Sequence, residues 1–313
     1  MTQQDAMTRQ DYDDPHRLAS AAVVVGVDGT PGAELALHWA ARYAARHGRE
    51  LQILHGLDLV GVSKVLGTYE VVIPRVVDTM RAHGKALVLH AERTAHELEP
   101  ELRVSVHLSA DSGTSLLLER SATANAVVLG ATGDLGTLAH LGSTLLAVTA
   151  HAKGTVIVVR PDPDADNAVR DSGPVVVGID GSPVSEAAIA AAFAEASERR
   201  TNLVAVHVWS DWSFGKFAGD DALLSLTELE AVEEIILNER LAGYQEKYPE
   251  VEVNRRVYFS GPAAHLREWS KSAQMVVVGN RGRGGFLGML LGSTAHNLVQ
   301  HAQCPVMVVH SAR

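Results

Sequence analysis

Two residue patterns in this chain could bind a nucleotide, and each of them occurs twice. A valine run ends in an aspartate at Asp28 and again at Asp180, and the surrounding residues match at a constant shift. Farther along each copy, a glycine-rich turn follows a second apolar run and leads into Gly-Ser-Thr. A carboxylate at a strand end can accept hydrogen bonds from ribose hydroxyls or a base amine. Glycines before a helix start expose backbone N–H groups to an anion, so the second pattern suits phosphate.

The glycine-rich turn of the second copy is complete. It reads Gly279-Asn280-Arg281-Gly282, then nine residues, then Gly292-Ser293. The residues after Gly292 open a helix, whose free N–H groups and positive end favour a phosphate, and the two arginines add charged donors. A glycine-rich turn with a serine cap and no ligand is the alternative. The predicted contacts are Gly279, Arg281, Gly282, Arg283, Gly292, Ser293 and Thr294.

The turn of the first copy departs from this pattern. Only eight residues separate its Gly-x-x-Gly from the following Gly-Ser, and Asp134 stands where the second copy has Arg283. A carboxylate repels phosphate, and the missing residue changes the direction of the loop. We therefore expect weaker binding in the first copy. Its candidate contacts are Asp28, Gly130, Gly133, Gly142 and Ser143.

The aspartates are not needed as helix caps, because Thr30 and Ser182 can cap the helices that follow. An aspartate that merely fills a turn is the alternative. The histidines show no zinc-binding pattern, and the chain has neither a Gly-x-x-x-x-Gly-Lys P-loop nor a Gly-x-Ser-x-Gly elbow. His207 is interpreted as a packing residue, and Cys304 as a small core residue. No catalytic residue is predicted.

Composition narrows the class of partner. The chain has 313 residues, 46% hydrophobic, and a formal net charge of -10, which argues against binding to nucleic acid or to an anionic membrane. It contains one cysteine and neither a membrane-spanning apolar stretch nor the pattern of a signal peptide. We therefore expect a cytoplasmic protein.

Strand and helix signals alternate within each copy, which predicts an α/β fold with a parallel sheet covered by helices on both faces. A repeat of about 150 residues has the size of a whole domain, so the chain is predicted to be a tandem duplication. The predicted parts are a mobile tail at 1–21, a first domain at 22–160, a linker at 161–173 and a second domain at 174–313.

An aspartate after the first strand, followed by Gly-x2-Gly-x9-Gly-Ser in an α/β unit of this size, resembles the ATP-binding subgroup of the universal stress protein family. The resemblance covers nearly the whole chain. It implies two doubly wound parallel sheets of five strands in the order 3-2-1-4-5. It also implies that Asp180 contacts the base and ribose of ATP and that the backbone of Val208 contacts adenine. Gly56 occupies the matching position in the first copy.

The resemblance implies a regulatory protein that responds to nucleotide and functions in stress adaptation. It also implies pairing of domains through the last strand, so we expect internal pairing and a homodimer. ATP is expected with Mg²⁺ bridging its phosphates. Two other classes remain open: a slow ATPase or nucleotidyl transferase, and a scaffold with empty pockets. The absence of a positioned general base near the phosphate turn favours the binding module.

Overall fold

The computed structural model describes residues 21–59, 61, 73–131, 142–164, 166, 168–209, 226–283 and 291–310. The chain divides into two compact units between Val159 and Arg160. We call the part before this division unit one and the part after it unit two. Residues 1–20 of the predicted tail and two residues of the first glycine-rich turn, Gly133 and Asp134, lie outside the described residues.

Unit one alternates strands and helices along the chain. Its strands are β1 (Val23–Gly26), β2 (Leu51–Gly56), β3 (Val104–Ser109), β4 (Ala126–Gly130) and β5 (Val156–Val159). Its helices are α1 (Pro31–Arg46), α2 (Ile73–Leu98), α3 (Gly113–Arg120) and α4 (Ser143–His151). The strands are parallel and lie in the order β3-β2-β1-β4-β5, so the expected order 3-2-1-4-5 is confirmed.

Unit two repeats the arrangement. Its strands are β6 (Val175–Ile179), β7 (Leu203–Trp209), β8 (Val253–Phe259), β9 (Met275–Gly279) and β10 (Val306–Val309). Its helices are α5 (Pro183–Glu198), α6 (Leu226–Lys247), α7 (Pro262–Ser270) and α8 (Ser293–His301). The parallel order is β8-β7-β6-β9-β10, which is again 3-2-1-4-5.

The unbroken valine runs form the centre of each sheet. The side chains of Val175, Val176 and Val177 in β6 are fully buried, and those of β1 are buried almost as completely. Consecutive residues of a strand point to opposite faces, so burial of all three requires helices on both sides. The parallel connections then place the carboxyl ends of all five strands at one edge of each sheet.

Local sequence signals determine where the first helix of each unit begins. Thr30 Oγ1 accepts a hydrogen bond from Ala33 N at 3.3 Å, and Ser182 Oγ accepts one from Ser185 N at 3.2 Å. A proline follows each cap at the first helical position, where its missing N–H is no loss. The caps predicted from sequence are confirmed, which leaves both aspartates available for other contacts.

Arg160, directly before the predicted linker, and Asp162 within it make contacts inside unit two. Arg160 donates from Nε to Ala302 O at 2.7 Å and from Nη1 to Val299 O at 2.9 Å, at the C-terminal end of α8. Asp162 is almost fully buried and pairs with Arg170. These contacts attach the first residues of unit two to the rest of that unit.

Cys304 lies in the core of unit two, as expected. Its side chain is fully buried, and this burial raises the pKa of its thiol to about 12. Among the helices of the described ranges, none is long and apolar enough to cross a membrane.

Candidate functional site

The two sequence patterns of unit two meet at one edge of its sheet. Strands β6 and β9 are parallel neighbours, with Val175 opposite Met275 and Val177 opposite Val277. Asp180 follows the last residue of β6, and Gly279 is the last residue of β9. Both patterns therefore face the same region, which we call the ligand edge of unit two.

Asp180 joins the two patterns by direct hydrogen bonds. Its Oδ1 accepts from Ser182 N at 2.9 Å, and its Oδ2 accepts from Arg283 N at 2.8 Å. The first bond shapes the turn after β6, and the second reaches the glycine-rich turn 103 residues away. The Asp180 carboxylate thus assembles the ligand edge, a role that the sequence did not reveal.

Two of the predicted glycines are required by close contacts. A Cβ atom at Gly282 would overlap Asp180 Oδ2, so a side chain there would push the carboxylate away. A Cβ at Gly279 would lie 2.8 Å from Val184 Cγ1 on α5. The glycines therefore allow the turn to approach both Asp180 and the first turn of α5.

Helix α8 points its N-terminus at the same edge. Gly292 is its N-cap and supplies no side-chain hydrogen bond, while Gly292 N donates to Asn280 O at 2.8 Å. The first N–H groups of a helix have no partner within it, so those of Ser293 and Thr294 are available to a ligand. Ser293 is exposed, and Thr294 is half-buried.

Three arginines surround this edge, one more than the sequence predicted. Arg281 and Arg283 are exposed, and Arg283 Nη2 donates to Gly181 O at 3.3 Å. Arg240, in the middle of α6, donates from Nη1 to Glu186 Oε1 at 2.9 Å. No local pattern marks Arg240, because its position depends on how α6 packs in the folded unit.

The end of β7 supplies the remaining predicted residue of unit two. Val208 is half-buried and lies opposite Tyr258 of β8. Its neighbour His207 donates from Nδ1 to Ile179 O at 2.8 Å, and its Nε2 lies 2.9 Å from Glu233 Oε2. Both ring nitrogens of His207 are therefore engaged, which fits the packing role predicted for it.

The corresponding edge of unit one is built differently. Asp28 is exposed, and its Oδ1 accepts from both N and Oγ1 of Thr30, at 3.0 and 2.7 Å. Within the described part of unit one, no bond from Asp28 to the glycine-rich turn is present. Asp28 therefore shapes its own turn in the way that Asp180 does, while residues 132–141, which hold the counterpart of Arg283, lie outside the described residues.

Close backbone packing also affects the predicted glycines of unit one. A Cβ at Gly56 would overlap the backbone at Gly113, and one at Gly130 would overlap Gly32 O. The start of α3 therefore packs directly against the end of β2, where unit two has Val208. Backbone atoms thus occupy one side of the strand end at which the resemblance implies adenine.

The start of α4 carries the other described candidates of unit one. Gly142 is its N-cap without a side-chain bond, and both Gly142 and Ser143 are exposed. The next residue, Thr144, has its Oγ1 3.0 Å from that of Thr114 on α3. Ala263 stands at the matching position of α7 in unit two, so the corresponding bond to Thr294 cannot form there.

The comparison with known proteins is consistent along the chain. Residues 21–160 and residues 172–310 each match the model of the universal stress protein family. A universal stress protein of Mycolicibacterium smegmatis is 40% identical over 295 residues, which cover 92% of this chain and 96% of that protein. One from Mycobacterium tuberculosis is 36% identical over 304 residues, covering 94% of this chain and 98% of that protein.

A solved structure supports the same fold. The crystal structure of a universal stress protein from Archaeoglobus fulgidus superposes with a TM-score of 0.67, covering 92% of this chain and 98% of that one. The two sequences are 17% identical, so this match speaks to the fold alone.

Proposed function

This chain belongs to the universal stress protein family, and from that premise we propose that unit two binds ATP and that the chain is a nucleotide-responsive regulator in stress adaptation. The observation that carries the proposal is the hydrogen bond from Arg283 N to Asp180 Oδ2. It links the strand-end carboxylate to the glycine-rich turn, so both halves of the predicted nucleotide motif belong to a single edge.

The residues of this edge fit the chemistry of ATP. The free N–H groups at the start of α8, together with Arg281 and Arg283, would bind the phosphates. Each oxygen of the Asp180 carboxylate already accepts one backbone N–H, and each has a second lone pair for a ribose or base donor. The backbone of Val208 would contact adenine, as the resemblance implies.

In this proposal Mg²⁺ binds to the phosphates of ATP rather than to a site made of protein side chains alone. Among the described residues, no group of three or more His, Cys, Asp or Glu side chains could bind a metal ion. Mg²⁺ typically keeps several waters and binds nucleotide phosphates rather than an all-protein cage. The ion would therefore arrive with ATP and neutralise part of its charge.

A regulatory role suits this edge better than catalysis. A general base must have a free nitrogen or oxygen near the attacking water, and both nitrogens of the nearby His207 are engaged.

We propose that the protein acts as a cytoplasmic homodimer. Light scattering over a range of concentrations with and without ATP tests the dimer, and a monomeric mass throughout would contradict it.

The direct test of ATP binding is mass analysis of the ligand released when purified protein is denatured. Wild type should release ATP, and Gly282→Glu should release none from unit two, because its side chain would displace Asp180 and add negative charge. Gly243→Glu is the matched control, since a Cβ at Gly243 on α6 meets nothing within 4 Å.

The outcomes separate the three classes of function. Equal nucleotide content in Gly282→Glu and wild type, with matching circular dichroism spectra, would contradict the assignment of the ATP site to unit two. No adenine nucleotide in any sample, even after incubation with ATP, would favour a scaffold. Conversion of ATP to ADP under single-turnover conditions would favour an enzyme.

A further inference from the structure

Two guanidinium groups converge on one backbone turn at the ligand edge of unit two. Gly181, directly after Asp180, has a φ of +74°, and a Cβ built on it would overlap Arg283 Nη2 and lie 2.8 Å from Arg240 Nη2. Arg283 comes from the glycine-rich turn, and Arg240 comes from the middle of α6. Their convergence is therefore a product of the fold.

The hydrogen bonds of the described residues leave donors of this pair unused. Arg283 Nη2 binds the carbonyl of Gly181, and Arg240 Nη1 binds the carboxylate of Glu186. A guanidinium has five N–H donors, so each arginine retains further donors for a ligand. The Glu186 side chain is 41% exposed, and solvent weakens such an ion pair.

We propose that Arg240 and Arg283 form an anion site over Gly181 that binds the terminal phosphates of a nucleoside polyphosphate. Two like charges on one turn repel each other, and a phosphate between them would turn that repulsion into attraction. A planar guanidinium can donate two parallel N–H bonds to two oxygens of one phosphate, which the ammonium of a lysine does not do. The site selects ATP over AMP, since AMP lacks the terminal phosphates.

Unit one contains the same turn without the arginines. Gly29 has a φ of +82°, and a Cβ on it would lie 3.1 Å from Leu87 Cδ1 on α2. A leucine thus occupies the place that Arg240 has in unit two. In the sequence, Asp134 stands in place of Arg283. The anion site is therefore a property of unit two alone.

A pair of substitutions tests the site. Arg240→Gln removes the guanidinium, and Glu186→Gln removes the carboxylate that competes for it. Both variants lose the same ion pair, so a purely structural role would change ATP affinity in the same direction in both. Calorimetry on the full chain with ATP, AMP and tripolyphosphate measures the affinities, and Arg256→Gln, which removes an exposed charge from β8, is the control.

The site predicts opposite changes in the two variants. Arg240→Gln should weaken ATP binding roughly ten- to a hundredfold, as expected for a lost hydrogen bond to a charged group, with a much smaller effect on AMP. Glu186→Gln should strengthen ATP binding by up to about fivefold. Losses of ATP affinity in both variants, or equal losses for ATP and AMP in Arg240→Gln, would overturn the proposal.

The inference rests on the proposed function, because it takes the bound phosphates to be those of a nucleotide. Tripolyphosphate carries no nucleoside, so it distinguishes the anion site from the nucleotide assignment. Binding of tripolyphosphate that depends on Arg240, without binding of ATP, would retain the anion site and reject the nucleotide assignment. ATP binding that is insensitive to Arg240→Gln would reject the anion site and retain the nucleotide assignment. Absence of binding by both ligands would reject both.

Discussion

Unit one and unit two share a strand order, yet the aspartate after the first strand has different surroundings in each. In unit two, Asp180 binds the backbone of its own turn and that of the glycine-rich turn. In unit one, Asp28 binds Thr30, and a leucine packs over the following glycine. The difference shows that duplicated frameworks can retain a motif residue while its partners change. The presence of a motif residue therefore does not determine its contacts.

The largest expected effect is a difference in nucleotide affinity between the Asp180→Ala and Asp28→Ala variants. Asp180→Ala removes the acceptor that joins the two turns and should weaken nucleotide binding roughly ten- to a hundredfold. Asp28→Ala should leave the tighter site unchanged, because Asp28 belongs to unit one and its described bonds are to Thr30. Calorimetry on both variants decides the comparison. Equal losses of bound ATP would show that the two units are equivalent.

Substitution of the glycines that end β4 and β9 should lower the stability of the protein by different amounts. A Cβ at Gly130 would overlap the backbone oxygen of Gly32, so Gly130→Ala should lower the free energy of unfolding by about 1–3 kcal/mol. A Cβ at Gly279 would meet the side chain of Val184, which can move more easily, so Gly279→Ala should cost less. Urea unfolding followed by circular dichroism measures both losses.

The reason for this difference can be tested in a double variant. Val184→Ala removes Cγ1, the nearest atom that a Cβ at Gly279 would meet, and leaves Arg281 O at 3.2 Å, so it should reduce but not abolish the cost of Gly279→Ala. The corresponding rescue is impossible for Gly130, where the contact is backbone. A larger cost for Gly279→Ala than for Gly130→Ala would contradict this account of the packing.

The smallest effect concerns Cys304, which reports on unit two alone because Gly154 stands at the matching position of unit one. The thiol is buried, so a disulfide reagent should label it only when unit two opens. ATP at ten times its dissociation constant should slow labelling about tenfold. Asp180→Ala is the control, and its labelling rate should respond much less to ATP.

The contribution of Cys304 to the stability of unit two changes with pH in a defined direction. Burial raises the pKa of the thiol to about 12, so the folded state favours the neutral thiol. The resulting contribution to stability is complete below the ordinary thiol pKa and is lost as the pH rises toward about 12. Rapid labelling of the folded protein near pH 8 would contradict the buried position.

Much of this fold could be predicted because the relevant signals are local. The valine runs identify strands buried on both faces, and Thr30 and Ser182 cap helices through residues three positions away. Each of these features depends on residues that are near each other in the chain.

The candidate site was harder to predict because its contacts are distant in sequence. The bond between Asp180 and Arg283 spans 103 residues, and Arg240 reaches Gly181 only after α6 has packed. The packing of the α3 start against Gly56 likewise depends on how two elements meet. Sequence patterns identified which residues could bind a ligand, and the fold determined which partners they have.

Helix α8 has a ligand end and an anchored end. Its N-terminus faces the ligand edge, and at its C-terminus the carbonyls of Val299 and Ala302 bind Arg160. The helix has nine residues, a length of roughly 13 Å, and a rod this short moves as one body. An anion at one end and a guanidinium at the other both complement its dipole. Any axial shift of α8 on ligand binding would therefore be transmitted to Arg160, the residue at which unit two begins.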